Sequence, residues 1–208
     1  MPDTTLLLLA DGRFPAGGHA HSGGLEAAVA SGRVRDLDDL AGFLRGRLAT
    51  AGLVGAAFAA AACRGDDTVE LEAELDARTP SPALRKASRA QGRALLRAGR
   101  ALWTLATAAR ELHHPVALGV VAAAAGLTPA EAALTATYGA VTGPASAAVR
   151  LLGLDPYATH ALVARLAADC DAVAARATTV DALPASSAPL LDITAEAHAT
   201  WEVRLFAS

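Results

Sequence analysis

The 208-residue sequence contains few of the residue types that carry most protein chemistry. It has no Asn, a single Lys (Lys86), a single Ile (Ile193), two Cys and eight aromatic residues. Cys63 and Cys170 lie 107 positions apart without a CxxC pair. Because this spacing matches neither a disulfide framework nor a metal motif, we expect a reduced, cytoplasmic compartment.

The charge balance and the short apolar runs exclude further classes of protein. With 18 Lys and Arg against 21 Asp and Glu, the net charge is -3, too low for the broad basic surface that neutralises phosphates. Asp3 stands where a secretory signal would carry Lys or Arg, and two long uncharged stretches lie at 48–63 and 132–149. Both fall short of the ~20 strongly apolar residues of a spanning helix. We expect no nucleic-acid partner and no membrane segment.

Helix-forming residues dominate what is present. The chain holds 55 Ala and 30 Leu, and no alternating run of β-branched residues indicates a strand. The sequence therefore predicts an all-α, single-domain helical bundle of seven to nine helices over residues 1–208.

Apolar spacings of three and four, together with capping signals, set the predicted helix boundaries. The capping box from Thr128 to Glu131 indicates one helix start, Pro144 is expected to kink or divide that helix, and Asp155 with Pro156 starts another. The remaining predicted segments are a long helix 36–63, a short helix 67–78, a helix of about thirty residues from Pro82 to His114, a helix 115–125, a loop 181–189 and a final helix 193–206.

One polar segment stands out, residues 11–26, in which six of sixteen residues are Gly or Pro. Such backbone freedom allows close approach to a ligand or to another chain. The segment lacks the Gly-Lys-Ser/Thr of a phosphate-binding loop, and no strand precedes it. His19 and His21 provide only two potential metal ligands, so a dedicated metal site is not expected.

The other chemically active residues have structural interpretations. His113 and His114 are expected to interact with the carbonyl dipole at a helix C-terminus, and Cys63 and Cys170 to pack as small hydrophobic residues. The sequence contains neither a G-x-S-x-G nucleophile motif nor carboxylates paired in a pocket-like context. We therefore expect no catalytic residues and no cofactor.

The C-terminal segment concentrates scarce residues. His198, Trp201 and Leu205 would share one face of a helix. One interpretation is a docked helix that completes the core. The other is that Arg204 and Phe206 contact a partner, since Arg and aromatic residues dominate interface hot spots.

These two segments resemble the urease accessory protein UreF family. The family motif L-P-x-G-x-x-x-x-S-x-G-L-E corresponds to Phe14 through Glu26. Its C-terminal L-D-I stretch, His and R-L-F-x-S correspond to 191–193, His198 and 204–208. The central matches are 88–93 and His114-Pro115 with Gly119. The resemblance thus covers nearly the whole chain.

The resemblance implies a non-enzymatic, all-α scaffold for nickel-dependent urease maturation, usually a homodimer. Such proteins bind UreD (also called UreH), and the pair recruits the GTPase UreG, which carries nickel to apo-urease. Partner-contact or site-shaping roles then fall on Gly17, Gly18, His21, Ser22, Gly24, Leu25, Glu26, Arg204, Leu205 and Phe206.

Three departures from the family pattern and two rival hypotheses remain. His19 and Gly23 stand where family members often carry aromatic residues, and residues 151–156 stand where many members carry a Pro-Leu-Gly-Gln turn. The first rival is a nickel-binding metallochaperone that uses His19 and His21 directly. The second is an all-α hydrolase or ligand-binding bundle, for which the sequence contains no matching set of residues.

Overall fold

A computed structural model describes residues 3–180 and 182–208 of the chain. Within these residues the structure contains helices and loops and no strand, so the predicted all-α class is confirmed. The helices are α1 (Asp3–Ala10), α2 (Leu25–Ala30), α3 (Leu37–Arg47), α4 (Leu53–Arg64), α5 (Thr68–Arg78), α6 (Pro82–Leu102), α7 (His114–Ala124), α8 (Pro129–Leu152), α9 (Pro156–Arg165), α10 (Ala167–Thr179) and α11 (Pro189–Ala199).

Helices α3 and α4 form one continuous helix through a π-helical turn, Leu48–Gly52. The described residues therefore form ten separate helices, one more than the upper bound of the predicted seven to nine. A three-residue 3-10 turn, Gly18–Ala20, precedes α2. The excess arises from short elements near the ends of the chain, where a single helical turn gives little periodic signal.

Helix starts follow the capping signals of the sequence. The Asp36 carboxylate accepts hydrogen bonds from the backbone N–H groups of Asp38 and Asp39, at 3.0 and 2.9 Å. Thr128 and Glu131 form the reciprocal capping box that begins α8. These contacts satisfy the free N–H groups of a first helical turn, so the two boundaries are fixed locally.

Helix α4 lies at the centre of the fold and packs against α7, α8 and α10. Phe58 and Leu53 are fully buried. Gly119 allows close packing of α7, because a Cβ there would lie 2.3 Å from the Ala59 carbonyl oxygen. The continuous helix Leu37–Arg64 is long and apolar enough to cross a membrane by length and composition, but 67% of its apolar window is buried inside the fold.

The prediction of a helix from Pro82 to His114 is wrong beyond residue 102. Helix α6 ends at Leu102, and the chain then runs back so that the Leu112 carbonyl lies against Gly92. In one continuous helix these two residues would be about 30 Å apart. Leu105, Ala109 and Leu112 still pack on the core, although they do so from a loop. Apolar spacing alone could not distinguish this loop from a helix.

His113 and His114 begin α7 and do not terminate α6, so their predicted dipole role is wrong. His113 is buried, and its ring Nε2 lies 2.9 Å from Asp76 Oδ1. Its backbone N–H donates to Glu72 Oε1 at 2.6 Å. The histidine thereby joins the start of α7 to α5.

The last third of the chain departs from prediction at several boundaries. Pro144 does not divide α8, and Leu166 separates α9 from α10. Residues 182–188 are non-helical as predicted, whereas Asp181 lies outside the described residues and Pro189 already begins α11. That helix ends at Ala199, so the predicted final helix 193–206 is wrong at both ends.

Both cysteines have the packing role expected for them. Cys170 is buried and Cys63 is half-buried, and both are free thiols. Burial raises the pKa of Cys63, and it raises the pKa of Cys170 to about 11. Both thiols are therefore protonated at neutral pH and weakly nucleophilic.

Candidate partner-binding site

The Gly-rich segment and the C-terminal tail, which the sequence singled out separately, contact each other. The backbone N–H and the hydroxyl of Ser22 both donate to the Ser208 carbonyl, at 2.6 and 2.8 Å. The Ala207 N–H donates to the Ala20 carbonyl at 2.7 Å, and His21 Nδ1 lies 2.8 Å from Ser208 Oγ. We call residues 17–26 and 198–208 together the junction.

Glu26 is the polar centre of the junction. Its buried carboxylate accepts hydrogen bonds from the backbone N–H groups of Leu205 and Phe206, at 2.7 and 3.0 Å, and from His198 Nε2 at 2.9 Å. Burial alone would raise the Glu26 pKa, but the bonds from Leu205, His198 and Phe206 lower it below its ordinary value. The carboxylate thus holds the tail in a non-helical conformation, which explains why no helix continues past Ala199.

Three glycines of the motif, Gly17, Gly23 and Gly24, adopt backbone conformations that other residues rarely reach. Gly24 has φ +91° and precedes α2, and a Cβ there would lie 2.9 Å from Leu191 Cδ2. Gly17 has φ +76° and precedes the short turn that Gly18 opens. The glycines therefore allow the segment to turn closely beneath α11. The next residue, Leu25, is fully buried.

The tail residues of the motif divide into inward-facing and outward-facing side chains. Phe206 is buried in the same core cluster as Leu25, and the Arg150 guanidinium lies 5.0 Å from its ring centroid. Arg204 and Leu205 are exposed. Trp201 is tilted against His198 with ring centroids 4.7 Å apart. The sequence motif does not indicate this division, because it specifies residue types and not the direction in which each side chain faces.

Arg47 lies outside the junction but contacts it, and nothing in the sequence indicated this role. Its Nη1 donates to the Gly23 carbonyl at 2.7 Å, and its Nε donates to the Ala140 carbonyl at 3.2 Å. Ala140 precedes Pro144 by four residues, and proline has no N–H to offer that carbonyl. Arg47 therefore satisfies the acceptor that Pro144 leaves free, and α8 continues undivided. Burial lowers the Arg47 pKa to about 10, so the guanidinium stays charged at neutral pH.

The Gly23 position depends on the same guanidinium. A Cβ at Gly23 would lie 2.9 Å from Arg47 Cζ, and its φ is +63°. A larger residue there would displace the arginine.

A double-mutant cycle tests the link between Arg47 and Pro144. We expect Arg47→Met to lower the free energy of unfolding by about 2 kcal/mol, because two buried carbonyls lose charged donors. In a Pro144→Ala background the loss should be about 1 kcal/mol smaller, since residue 144 then donates to Ala140. Urea denaturation of the four proteins measures the coupling. Equal losses in both backgrounds would contradict this role.

A cavity of about 750 Å³ lies beside the junction. His21, Arg47, Ser88, Gln91 and His114 are among its lining residues. Burial lowers the His114 pKa to about 4, with a smaller contribution from the charge of His21, so His114 is neutral at pH 7. The lining of the cavity thus includes a neutral imidazole and a cationic guanidinium.

The described residues give little support for a preorganised metal centre at His19 and His21. No group of three or more His, Cys, Asp or Glu side chains in this part of the chain is arranged to hold a metal ion. His19 is exposed, whereas His21 is half-buried and its Nδ1 is engaged by Ser208. The two imidazoles of the motif therefore have different surroundings.

Comparison with known proteins places the whole arrangement in one family. The family model described as UreF matches residues 34–167. Urease accessory protein UreF of Mycobacterium sp. strain JLS is 51% identical over 210 residues, covering 99% of this chain and 98% of the relative. The protein of the same name from Mycobacterium marinum is 48% identical, with 98% and 97% covered, and that from Mycobacterium tuberculosis is 45% identical, with 93% and 92% covered. This chain therefore belongs to the UreF family of urease accessory proteins.

Proposed function

We propose that the chain is a scaffold that binds UreD (UreH) and, with it, recruits the GTPase UreG for nickel delivery to apo-urease, acting as a homodimer in the cytoplasm. Family membership already makes the chain a factor in urease maturation and not an enzyme. In this proposal the chain works through surfaces that hold other proteins. The outer face of the junction is the surface we assign to them.

The observation that carries the proposal is an exposed apolar face around the tail. Among large apolar side chains, Val203 is 86% exposed and Leu205 is 61% exposed, and Leu190 and Ile193 of α11 are also exposed. Arg204 stands between Val203 and Leu205 and is exposed as well. Apolar anchors beside an arginine are typical of protein interfaces.

The buried half of the junction supports this role by fixing the exposed half. Glu26 holds the backbone N–H groups of Leu205 and Phe206, while buried Phe206 anchors the chain next to them. A segment that is ordered before binding loses less conformational entropy when a partner arrives. We therefore assign partner contact to Arg204 and Leu205. Site-shaping falls on Gly17, Gly18, His21, Ser22, Gly24, Leu25, Glu26 and Phe206.

Arg204→Ala tests the assignment. We expect affinity for the UreD and UreG pair to fall at least about tenfold, because interface arginines are frequent hot spots. The thermal midpoint should remain unchanged, since the side chain is exposed and makes no hydrogen bond or ion pair among the described residues. Co-purification and titration with the purified partners measure both quantities.

Arg176→Ala is the matched control, because Arg176 is an exposed arginine on a different element, helix α10. It should leave assembly intact. If Arg204→Ala also left assembly unaffected, the tail would have a structural role only. Failure of the wild type to bind either partner would reject the scaffold function itself.

A further inference from the structure

Positive charge is concentrated on one helix and the loop that follows it. Residues 79–110 contain seven of the 18 cationic side chains and no Asp or Glu. The rest of the chain carries eleven cationic against 21 acidic side chains, a net charge of -10. The low overall charge therefore conceals a strong separation of charge.

The first half of α6 neutralises its arginines within the fold. Arg85 lies 3.7 Å from Asp76, and Arg89 lies 2.8 Å from Asp76 and 3.4 Å from Glu72. The hydrogen bond and charge of Asp76 raise the Arg89 pKa. These arginines attach α6 to α5, so packing explains them.

The second half of α6 differs, because its arginines face solvent. Arg93, Arg97, Arg100 and Arg110 are all exposed. Arg93 pairs with Glu111, and Arg100 donates to the Ala109 carbonyl. Arg97 and Arg110 make no ion pair or side-chain hydrogen bond with the described residues. Like charges three or four positions apart on a helix repel each other, so Arg97, which lies between Arg93 and Arg100 and has no partner among the described residues, does not stabilise α6.

The same four arginines surround a single depression in the surface. Together with Ala108 they line a shallow cleft of about 470 Å³, which we call the basic cleft. Leu102, at the end of α6, is 55% exposed in the segment between Arg100 and Arg110. Arginine is enriched at protein interfaces relative to the rest of the surface and is frequent among their hot spots.

We propose that the basic cleft is a docking surface for an acidic protein face, whose Asp and Glu side chains enter between the arginines. The inference rests on the proposed scaffold function. The occupant of the cleft is the partner, UreD or UreG, that presents this acidic surface. Guanidinium groups bind carboxylates through paired hydrogen bonds. Arg97 and Arg110 have this capacity unused within the described residues.

The surroundings of the basic cleft favour a protein over a nucleic acid. A nucleic acid would extend past four arginines onto a chain whose remainder carries a net charge of -10, and would be repelled there. Single-strand binding also uses aromatic stacking platforms. The only aromatic residue of segment 79–110, Trp103, packs partly buried against the core.

Charge reversal at the two unpaired arginines tests the proposal. The variant is Arg97→Glu/Arg110→Glu, and the control is Arg165→Glu/Arg176→Glu, which makes the same change in net charge at exposed arginines of α9 and α10. Binding of purified UreD to the protein, and of UreG to the protein with UreD bound, is measured at about 50 and about 300 mM salt. We expect the variant to bind one partner at least about tenfold more weakly at low salt, mainly through slower association.

The comparisons with wild type and control decide the outcome. The wild-type affinity for that partner should fall with salt, the variant should lose most of this dependence, and the control should bind as wild type does. Equal binding by variant and control would overturn the proposal. In that case, weaker assembly of Arg204→Ala with UreD and UreG would still support the scaffold function. No wild-type binding to either partner would remove both. Arg97→Gln/Arg110→Gln provides the same test if the reversal variant fails to fold by circular dichroism.

A labelled single-stranded oligonucleotide of about 20 nucleotides serves as the competing probe. We expect the wild type and the reversal variant to show the same negligible binding. Tight binding by the wild type that the reversal variant loses would overturn the protein assignment in favour of nucleic acid.

Discussion

Glu26→Ala should lower the free energy of unfolding by about 3 kcal/mol and release the tail from the fold. The substitution removes one buried carboxylate and leaves three donors without an acceptor: the N–H groups of Leu205 and Phe206 and Nε2 of His198. Urea denaturation measures the stability loss. Hydrogen exchange of the Leu205 and Phe206 amides measures the release, and both should exchange much faster than in wild type.

The matched control is Glu202→Ala, which removes an exposed carboxylate from the same tail. It should change stability by less than about 0.5 kcal/mol. Unchanged amide exchange in Glu26→Ala would show that the tail is held by other contacts, Phe206 burial above all.

The same contact predicts a dependence on acid. The Glu26 pKa in the folded protein lies below its ordinary value of 4.5, so its contribution is fully present above that value and is lost as pH falls through the folded pKa. The stability difference between wild type and Glu26→Gln should therefore be constant near neutral pH. It should shrink as the pH falls below about 4.5.

Gly92→Ala should destabilise the protein by about 3 kcal/mol or more. Its Cβ would lie 1.9 Å from the Leu112 carbonyl oxygen and 3.2 Å from the His113 carbonyl carbon, both of them backbone atoms. No side-chain rotation relieves such a clash, so the segment before α7 must move away from α6. Thermal and urea unfolding of the variant measure the loss.

Gly42→Ala is the control with the opposite expected sign. Gly42 lies in helix α3 and is exposed, and a Cβ there would meet nothing within 4 Å. Alanine should stabilise that helix by about 0.5–1 kcal/mol through its better helix propensity. If both variants shifted stability alike, the close approach at Gly92 would not be the cause.

Local signals predicted helix starts well and helix ends poorly. Asp36, Thr128 and Asp155 each cap a helix through hydrogen bonds within three residues, so the information lies in adjacent sequence. The end of α6 depends on contacts between distant residues. Leu105 and Leu112 keep helical spacing, but they pack from a loop because Gly92 admits the returning backbone.

Only part of the junction could be predicted from the sequence, because its contacts also join residues that are distant along the chain. The motifs identified both segments, yet the Glu26 contacts span more than 170 positions, and nothing near Glu26 indicates its three donors. Arg47 was missed because its two acceptors are backbone carbonyls at Gly23 and Ala140. A proline inside a helix does signal a carbonyl without a donor, but it does not say which distant side chain supplies one.

The junction also determines when, during synthesis of the chain, the exposed surface around Arg204 and Leu205 can form. Residues 17–26 leave the ribosome early, whereas the residues that satisfy Ser22 and Glu26 are synthesised 172 to 186 positions later. Contacts of such sequence separation form late in folding. The position of Arg204 and Leu205 next to the Glu26 carboxylate is therefore set only on chains whose last residues have folded back. A partner that binds this face would select chains in which residues 198–208 already pack against residues 17–26.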